Sequence, residues 1–467
     1  MPNAKFETIH ESLGPDFFDP VEAADFPKAI LRYRNQRWAE RVGLSDLRDD
    51  EWVARFGRFE PFPESFRTPL ALRYHGHQFQ VYNPDLGDGR GFLFAQLRDL
   101  EDNRLLDLGT KGSGQTPWSR GGDGRLTLKG GVREVLATEM LEALGVDTSK
   151  SFSLIETGES LMRNDEPSPT RSSVLVRLSH SHIRIGTFQR LAFLEETETI
   201  RRLVDHAVAH YYPHLGDLVQ DEKVPAFLGA VAEAVAKTGA RMIAAGFVHG
   251  VLNSDNINIT GEAFDYGPWR FLDRYEAGFT AAYFDQSGLY AFGRQPDALA
   301  WNLTRLAECL VPLSEIAKLE SALNRFWPAF QSGLAAAVLD RLALVPQGEK
   351  ADLEVTAAFF KFLGAVNPPF ERVFFDLRGG VDADRLTASP AASAYAAPEF
   401  QPVRTALSGY EARSGARAHP YFDRAGPRTM VIAEMEALWA RIAEADDWSA
   451  FAAMLEEIGE LRAAYAQ

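Results

Sequence analysis

Two neighbouring segments carry the strongest signal in this chain: HGVLNSDN at residues 249–256 and FDYG at residues 264–267. They lie in a short strand-like passage between regions that have the apolar spacing of helices. On its own, such a passage fits an Asn- and Asp-rich turn between two short strands. The two segments occur together, however, and their carboxylate and amide oxygens suit a Mg²⁺ ion. The pair therefore favours a cation site over a plain turn.

The spacing of these segments matches a pattern found in protein kinases. Kinases combine a His-x-Asp-x-x-x-x-Asn loop with a later Asp-Phe-Gly, and the Asn and the second Asp hold Mg²⁺. In this chain His249, Asn256 and Asp265 fall at the matching positions, and Tyr266 replaces the phenylalanine. Asn256 and Asp265 are therefore the predicted metal ligands.

The loop departs from kinases at the residue that usually accepts the proton. Val251 stands where kinases have the catalytic Asp, and an aliphatic side chain can neither accept a proton nor hold a nucleophile. Asp255, directly before the metal Asn, is the only carboxylate in the loop. The protein is therefore either catalytically inactive or arranges its chemistry differently, with Asp255 as the candidate base.

Three glycine-rich segments precede this loop, at residues 86–91, 109–114 and 121–125. Glycines let backbone N–H groups approach phosphate oxygens, and each segment also carries a Lys or an Arg. None has the Walker A or dinucleotide-binding pattern, and each alone fits a hairpin turn. Three such segments in one short region favour phosphate binding.

Four charged residues outside the loop complete the candidate site. Lys111 follows a predicted strand and Glu134 lies on a predicted helix, as in the pair that directs a kinase lysine at ATP phosphates. A surface ion pair, or no pair, is the alternative. Arg177 and Arg184 flank a short loop after another strand, where they could bind phosphates or simply face solvent.

The hydrophobic pattern predicts an α+β protein with a kinase-like two-lobed fold, because a strand-rich half with one helix precedes a helix-rich half. Strands are predicted at 91–97, 105–108, 151–155 and 173–178. Helices are predicted at 131–144, 196–212, 224–245, 296–310, 313–342, about 428–443 and 447–465. The resulting divisions are an N-terminal extension (1–60), an N-lobe (61–190), a helical C-lobe (191–375), a loosely structured connector (376–427) and a C-terminal helical segment (428–467).

Composition limits the class of partner. A net charge of −16 in 467 residues disfavours binding to nucleic acid or to an anionic membrane. Cys309 is the only cysteine, which excludes an intramolecular disulfide and a cysteine zinc site. We see neither a signal peptide nor a membrane span, so a cytoplasmic protein is expected.

Paired histidines offer a competing metal site. The sequence has three such pairs, but no zincin pattern, and nothing along the chain brings the pairs together. Histidines with ordinary core or surface roles are therefore favoured over a metal site. The pairs are His75 with His77, His180 with His182, and His206 with His210.

Several long motifs resemble the SelO/YdiU family of protein adenylyltransferases, and the resemblance covers roughly residues 60–345. The motifs are YHGHQF at 74–79, LGDGR at 86–90, KGSGQTPWSR at 111–120, GDGR at 122–125, Arg133-Glu134, the 249–256 loop, DYGP at 265–268, Gln295-Pro296 and WNL at 301–303.

This resemblance implies a pseudokinase fold that binds ATP in a reversed orientation and transfers AMP to Ser, Thr or Tyr hydroxyls. Some bacterial members use UTP and Mn²⁺ as well. Matched by motif, Asp255 is the proton acceptor, Asn256 and Asp265 are the metal ligands, and Glu134 orients the lysine. The nucleotide-binding positions match Gly87, Gly89, Arg90, Lys111, Asp123, Gly124, Arg177, Arg184 and Asp265.

Two features depart from the family pattern. Residues 285–292 read DQSGLYAF, where the family often has Asp-His-Gln-Gly-Arg-Tyr-Ser-Phe, so contacts from that Arg and His are not expected. The chain also lacks the second cysteine or selenocysteine that a redox switch needs.

We therefore expect a protein nucleotidyltransferase that uses ATP with Mg²⁺ or Mn²⁺ and acts on protein hydroxyls. Two alternatives stay open: a conventional kinase that transfers the γ-phosphate, and a catalytically silent nucleotide-binding scaffold. Val251 is the residue that keeps both alternatives open.

Overall fold

The computed structural model describes residues 3–466, and their strands concentrate in the first half of the chain. The strands are β1 (Phe6–Glu7), β2 (Phe18–Pro20), β3 (Ile30–Arg34), β4 (Leu70–Leu72), β5 (Gly76–Gln78), β6 (Val81–Asn83), β7 (Leu93–Arg98), β8 (Leu105–Lys111), β9 (Leu126–Thr127), β10 (Lys150–Leu161), β11 (Thr170–Ser179), β12 (Phe247–His249) and β13 (Trp269–Phe271).

A nine-stranded antiparallel sheet forms the N-lobe. Its main order is β2-β4-β7-β8-β11-β10-β3, with β1 paired to β7 and β9 paired to β11. The four strands predicted from sequence are the long inner ones, β7, β8, β10 and β11. Most of their side chains are buried, which explains the apolar runs in the sequence.

The first 60 residues are part of this lobe. They were expected to form an extension with short helical stretches, and they do contain two short helices, but they also supply β1, β2 and β3 to the sheet. Their core includes Trp52 and Phe56, which pack against Phe152 of β10 at ring distances of 5.0 and 5.3 Å. A boundary at residue 60 therefore does not separate two structural units.

The helices follow mainly in the second half. They are α1 (Gln36–Arg41), α2 (Asp49–Phe56), α3 (Leu128–Ala143), α4 (Ile185–Phe193), α5 (Thr197–Tyr211), α6 (Gln220–Ala244), α7 (Gln295–Leu310), α8 (Ile316–Leu323), α9 (Phe326–Leu342), α10 (Glu349–Val366), α11 (Phe370–Leu377), α12 (Ala383–Ala388), α13 (Ala392–Tyr395), α14 (Gln401–Leu407), α15 (Ile432–Ala445) and α16 (Ser449–Tyr465).

The longest helix of the N-lobe, α3, is buried on two sides. The Thr127 hydroxyl accepts a hydrogen bond from the Gly130 N–H and caps its N-terminus. The predicted apolar stripe, which includes Val132 and Leu136, packs in the same core as Leu154 of β10. The C-terminal helix α16 packs against α3 as well. Glu134 is only 1% exposed and contacts Lys111 and Arg177.

Helix α6 runs through the C-lobe, where α7, α8 and α9 pack around it. One predicted helix, 313–342, is wrong, because the structure has two helices, α8 and α9, with a break at Asn324-Arg325. Pro328 explains the break. A proline is accepted in the first turn of a helix, but in a helix interior it would remove a hydrogen bond and clash with the carbonyl four residues earlier.

Residues 376–427 are also more ordered than expected. The sequence predicts a loosely structured connector, whereas the structure has α12, α13 and α14 there. Buried side chains at Leu386, Phe400, Val403 and Leu407 join the core formed by α9, α10 and α11. These helices are too short for a clear periodicity, so long-range packing rather than local pattern defines them.

The last two helices lie close to their predicted bounds, and they pack back on the N-lobe. The core around α3 includes Met435, Leu438 and Ile442 of α15 and Ile458 and Leu461 of α16. Across residues 3–466, none of the helices combines the length and the apolar content that crossing a bilayer requires.

Candidate functional site

A cleft of about 810 Å³ brings most of the predicted site residues together. The glycine-rich segments line one part of it, and the buried cations and the metal-loop carboxylates line another. Glu134 and Asn256 do not line it directly. The predicted residues on its wall are Gly87, Gly89, Arg90, Lys111, Asp123, Gly124, Arg177, Arg184, Asp255 and Asp265.

Lys111, at the end of β8, contacts both Glu134, the predicted lysine-orienting residue, and Asp265, a predicted metal ligand. Its Nζ lies 2.6 Å from Oε2 of Glu134 on α3 and 2.6 Å from Oδ1 of Asp265. The Lys111 and Glu134 side chains are almost fully buried. A buried ammonium between two carboxylates has a fixed position, which is what a phosphate-directing lysine needs.

Arg177 and Arg184 are buried beside the same carboxylates. Arg177 Nη1 lies 3.4 Å from Asp265 Oδ1 and 3.5 Å from Glu134 Oε1. Arg184 donates to Asp88 Oδ1 at 3.1 Å and to the backbone carbonyl of Asp255 at 3.1 Å. Both guanidinium groups are therefore held in place by the protein, and neither faces bulk solvent.

Asp265 is held in an ionised state by these cations. Burial alone would raise the pKa of its carboxyl, but Lys111, Arg177 and Arg90 together hold that pKa well below its ordinary value. Its backbone adopts a left-handed conformation with φ of 64°. Such a conformation is uncommon outside glycine, and it occurs often at ligand-binding positions.

Asn256, the other predicted metal ligand, lies next to Asp265. Its Nδ2 donates to Asp265 Oδ2 at 3.3 Å, so the amide and the carboxylate share one location. Mg²⁺ is commonly bound by one or two protein oxygens together with substrate phosphates and water. One ionised carboxylate and one amide oxygen, beside a cationic cleft, fit that requirement.

Asp255 is a buried carboxylate that forms no salt bridge with another described residue. It is 8% exposed, it lines the cleft, and Oδ1 has no hydrogen-bond partner among the described residues. Burial raises its pKa to about 6, although Arg184 opposes the shift. A carboxyl group with a pKa close to neutrality and a free oxygen is suited to accept a proton.

The loop that carries Asp255 is fixed from the N-lobe side. The Ser254 hydroxyl accepts from the His77 N–H at 2.7 Å, and Asn253 Oδ1 accepts from the Phe79 N–H at 3.0 Å. Tyr290 donates to the same Asn253 oxygen at 2.6 Å. The hairpin formed by β5 and β6 therefore sets the position of the loop that carries Asp255.

Segment 285–292, whose sequence departs from the family pattern, has a structural role in this arrangement. Asp285 accepts from the backbone N–H groups of Leu289 and Tyr290, at 2.9 and 2.8 Å, and so shapes the turn that presents Tyr290 to Asn253. The segment therefore supports the 249–256 loop through backbone contacts and through Tyr290.

His249 acts as an internal brace. Its Nε2 lies 3.2 Å from the Phe264 carbonyl, and its backbone N–H donates to Gln295 Oε1 at 2.8 Å. Burial lowers its pKa to about 4, so the ring is neutral at physiological pH. The histidine therefore ties the loop at 249–256 to the DYG segment rather than facing the cleft.

Close packing explains several of the glycines. A Cβ at Gly87 would overlap the Trp118 side chain, and one at Gly89 would lie 2.8 Å from the Trp118 carbonyl. Gly124 has φ of 68° and abuts Gly114. These segments are turns that pack on one another, as the simpler interpretation held, and the same turns form a wall of the cleft.

Two exposed arginines on the cleft wall differ from the buried ones. Among residues 3–466, neither Arg90 nor Arg120 forms a salt bridge, although both line the cleft. Asp123, in contrast, is paired with Arg163, whose Nη1 lies 2.8 Å from Asp123 Oδ2. The guanidinium groups of Arg90 and Arg120 are therefore available to bind a polyanion, whereas Asp123 orients Arg163.

Sequence reasoning missed several of these residues. Asp88, Arg120, Asn253 and Arg163 either line the cleft or hold a residue that does. Asp88 had a visible signal, because the tetrapeptide Gly-Asp-Gly-Arg occurs at both 87–90 and 122–125. Arg120 and Asn253 lie within the motifs at 111–120 and 249–256, but their contacts, like that of Arg163, depend on tertiary structure.

The histidine pairs do not assemble into a metal centre. Within the described part of the chain, no group of three or more His, Cys, Asp or Glu side chains has the geometry to hold a metal ion. His206 and His210 contact each other on α5, with ring centroids 4.7 Å apart. Burial lowers the pKa of His206 to about 3.

Together, these features define the class of the protein. An antiparallel sheet with a buried helix precedes a helical lobe, and the Lys111–Glu134 pair lies beside the hydrogen-bonded Asn256 and Asp265. That combination is the arrangement of kinase-like nucleotide-binding proteins, here with Val251 in place of the usual catalytic aspartate.

Comparison with known proteins identifies the family. A family model described as protein adenylyltransferase SelO matches residues 1–459, so the chain belongs to this family. The match extends well beyond the 60–345 region in which the resemblance was recognised. It includes the segment at 3–60, which supplies strands to the N-lobe sheet, and the segment at 376–459, which packs on both lobes.

Curated relatives agree with this assignment. The protein nucleotidyltransferase YdiU of Synechocystis is 51% identical over 76% of this chain and 74% of its own length. Those of Gloeobacter violaceus and Trichodesmium erythraeum are 44% and 41% identical and cover 99% and 97% of this chain, and 95% and 98% of their own lengths. A solved protein-kinase-fold virulence factor from Toxoplasma gondii also matches, over 81% of this chain and 92% of its own, but at 11% identity and a TM-score of 0.26 it supports no inference.

Proposed function

We propose that this chain transfers AMP from ATP to the hydroxyl groups of Ser, Thr or Tyr residues in other proteins. The observation that carries the proposal is Asp255, a buried carboxylate with a free oxygen and a pKa of about 6 on the wall of a cationic cleft. A kinase would need a carboxylate at Val251 instead. With ATP bound in the reversed orientation, the α-phosphorus rather than the γ-phosphorus lies near Asp255.

The transfer is a direct displacement at phosphorus. The acceptor hydroxyl oxygen forms a bond to the α-phosphorus, the bond to the bridging oxygen breaks, and pyrophosphate leaves. Asp255 takes the hydroxyl proton. Lys111, Arg177 and Arg184 bind the polyphosphate and stabilise the charge that develops on it.

Asn256 and Asp265 would hold the divalent cation, Mg²⁺ or Mn²⁺. That ion supplies further charge neutralisation at the phosphates. Asp265 is suited to this role because the surrounding cations keep it ionised. Because Asp265 also contacts Lys111, a residue that would hold the cation lies against one that would bind the phosphates.

Position-specific labelling tests the proposal. The protein is incubated with a candidate acceptor protein and ATP labelled at either the α- or the γ-phosphate, with Mg²⁺ present. Adenylyl transfer predicts protein labelled from α-labelled ATP only. A conventional kinase predicts label from the γ-position only, and a silent scaffold predicts thermal stabilisation by ATP without any covalent product.

The variant Asp255→Ala tests the role of the base. Transfer is expected to fall by roughly 10²–10⁴-fold, the usual contribution of a positioned acid or base, while ATP binding is retained. Asp217→Ala, at an exposed carboxylate outside the cleft, is the matched control. Undiminished α-label in Asp255→Ala would reject Asp255 as the base.

A further inference from the structure

Tyr74 is the first residue of the YHGHQF motif at 74–79, and it lines the cleft that contains Asp255. The residue is only 7% exposed. Within the part of the chain that the structure describes, its hydroxyl has no hydrogen-bond partner. The hydroxyl of a buried tyrosine usually has a partner, because burying an unpaired hydroxyl costs free energy. An unpartnered hydroxyl on the wall of a cleft therefore indicates a polar ligand at that place.

The backbone on both sides of Tyr74 is held in place. Arg73 donates its N–H to the Phe17 carbonyl at 2.8 Å, and His75 donates its N–H to the Gly186 carbonyl of α4 at 3.0 Å. A Cβ at Gly186 would lie 2.1 Å from the His75 carbonyl, so a glycine is needed for α4 to approach this closely. Tyr74 therefore has a fixed position between β4 and α4, as a substrate-binding residue requires.

The ring of Tyr74 lies against Arg184, one of the predicted phosphate-binding residues. The central carbon of the Arg184 guanidinium is 4.2 Å from the centroid of the ring. A cation over the face of an aromatic ring is attracted to it, so the ring and the guanidinium hold each other in place. The Tyr74 hydroxyl is therefore close to a side chain that would bind a phosphate.

The surroundings of the hydroxyl keep it protonated. Burial raises the pKa of Tyr74 well above its ordinary value. Arg184 opposes this pKa shift, and the carboxylates of Asp88, Asp255 and Asp265 add to it. At neutral pH the hydroxyl is therefore a neutral group that can donate a hydrogen bond, and it donates to none of these three carboxylates.

We propose that the Tyr74 hydroxyl donates a hydrogen bond to a phosphate oxygen of the bound nucleotide, beside the oxygens that Arg184 binds. Tyr74 and Arg184 both present donors, so a ligand group that meets both is an acceptor, as phosphate oxygens are. The inference rests on the proposed function, because it adds a contact to the nucleotide of that reaction. Tyr74 is then a further nucleotide-binding residue.

The variant Tyr74→Phe tests the inference, because it removes the hydroxyl and keeps the ring against Arg184. Binding is measured by calorimetry with Mg²⁺ and an ATP analogue that has a methylene group between the α- and the β-phosphorus and cannot transfer AMP. The Kd of the variant is expected to be about tenfold higher than that of the wild type, the effect of losing one hydrogen bond to a charged group. The KM for ATP in the transfer reaction should rise by the same factor while kcat is retained, because the contact is made both before and during transfer.

Tyr212→Phe is the matched control, because Tyr212 is also buried but lies outside the cleft, where its hydroxyl donates to the Ile259 carbonyl at 2.6 Å. This variant is expected to lower the melting temperature and to leave the Kd of the analogue unchanged, which separates stability from binding. A wild-type Kd in Tyr74→Phe would overturn the inference. So would a KM that rises only for the acceptor protein, because the hydroxyl would then contact the acceptor and not the nucleotide.

Binding and transfer also distinguish a failure of this inference from a failure of the proposed function. A raised Kd in Tyr74→Phe, together with a wild type that transfers no AMP, would support the phosphate contact and reject the transfer reaction. AMP transfer by the wild type, with the same Kd and KM in Tyr74→Phe, would support the reaction and overturn the phosphate contact. A wild type that does not bind the analogue would reject both.

Discussion

At the scale of single residues, the cleft contains two carboxylates, Asp255 buried and Asp265 partly exposed, whose surroundings move their pKa values in opposite directions. Asp265 is surrounded by Lys111, Arg177 and Arg90, which hold its pKa well below the ordinary value despite burial. Asp255 has Arg184 nearby but an unpartnered oxygen, and burial raises its pKa to about 6. Such divergence allows one carboxylate to hold a cation while the other accepts a proton.

The pH dependence of transfer follows from Asp255. Only its ionised form accepts a proton, so kcat/KM is expected to fall about tenfold for each pH unit below about 6 and to level off above that pH. A pH–rate profile at saturating Mg²⁺ measures this dependence. A profile that stays flat between about pH 5 and about pH 8 would contradict a base with this pKa.

The same pKa shift predicts an effect on stability. Because the folded-state pKa of Asp255 is raised from 3.8 to about 6, the protein is stabilised by the neutral form, and this contribution is lost as pH rises from about 4 through about 6. Asp255→Asn removes the ionisation. Its free energy of unfolding is therefore expected to exceed that of the wild type at neutral pH, by up to about 3 kcal/mol, and by much less near pH 4.

Thermal melts at both pH values measure this difference. Asp217→Asn, at an exposed carboxylate, serves as the control. A stabilisation by Asp255→Asn that is as large near pH 4 as at neutral pH would exclude ionisation as its cause.

Glu134 controls how firmly Lys111 engages Asp265. Lys111 is shared between the two carboxylates at 2.6 Å from each. In Glu134→Gln the ammonium loses its fully charged partner and is expected to bind Asp265 more strongly, in competition with the divalent cation. The Mg²⁺ concentration for half-maximal activity should rise about tenfold, the scale of one charge-assisted hydrogen bond.

A Mg²⁺ titration of activity and of ATP binding tests this competition. Glu142→Gln is the matched control, because Glu142 lies on the same helix and pairs with Arg37 away from the cleft. An unchanged Mg²⁺ requirement in Glu134→Gln would show that Lys111 does not compete with the cation.

At the scale of elements, α3 is held between the sheet and the C-terminal helices. Arg462 of α16 contacts Glu139 and Glu142, and Lys129 pairs with Glu436 of α15 at 2.6 Å. Apolar residues of α15 and α16 complete the core on this side. The C-terminal helices therefore fix the helix that carries Glu134.

Ile458→Ala tests this bracing. Ile458 is fully buried in the α3 core, and loss of such a side chain typically costs about 2–5 kcal/mol in the free energy of unfolding. Hydrogen exchange in α3 is expected to become faster, and the melting temperature to fall. Glu456→Ala, two residues earlier on the same helix and exposed, should change neither. A destabilised variant with unchanged exchange in α3 would contradict the bracing role.

At the scale of the whole molecule, the elements predictable from sequence are those whose own residues form a continuous pattern. The inner strands, α3 and the 249–256 loop have contiguous signals, because a buried strand or an amphipathic helix leaves a periodic pattern. The short strands β1, β2 and β3 have too few residues for a pattern, and their pairing partners are distant in sequence. For the same reason, α12, α13 and α14 were read as a connector.

The candidate site likewise contains residues that one motif predicts and contacts that only the tertiary structure reveals. Asn256, Asp265 and Asp255 were predictable from one motif, whereas the contacts of Lys111 with Asp265 and of Arg184 with Asp88 join segments far apart in the chain. Pro328 is a different case. It gave a local signal for the break between α8 and α9, and the helical periodicity around it outweighed that signal.

The central claim is that Asp255 and the cation site act on the α-phosphorus of a nucleotide. Intact mass spectrometry of an acceptor protein, after incubation with Mg·ATP and either the wild type or Asp255→Ala, tests it most directly. We predict an AMP-sized adduct with the wild type and none with Asp255→Ala. A phosphate-sized adduct, or an AMP adduct that persists in Asp255→Ala, would contradict the account.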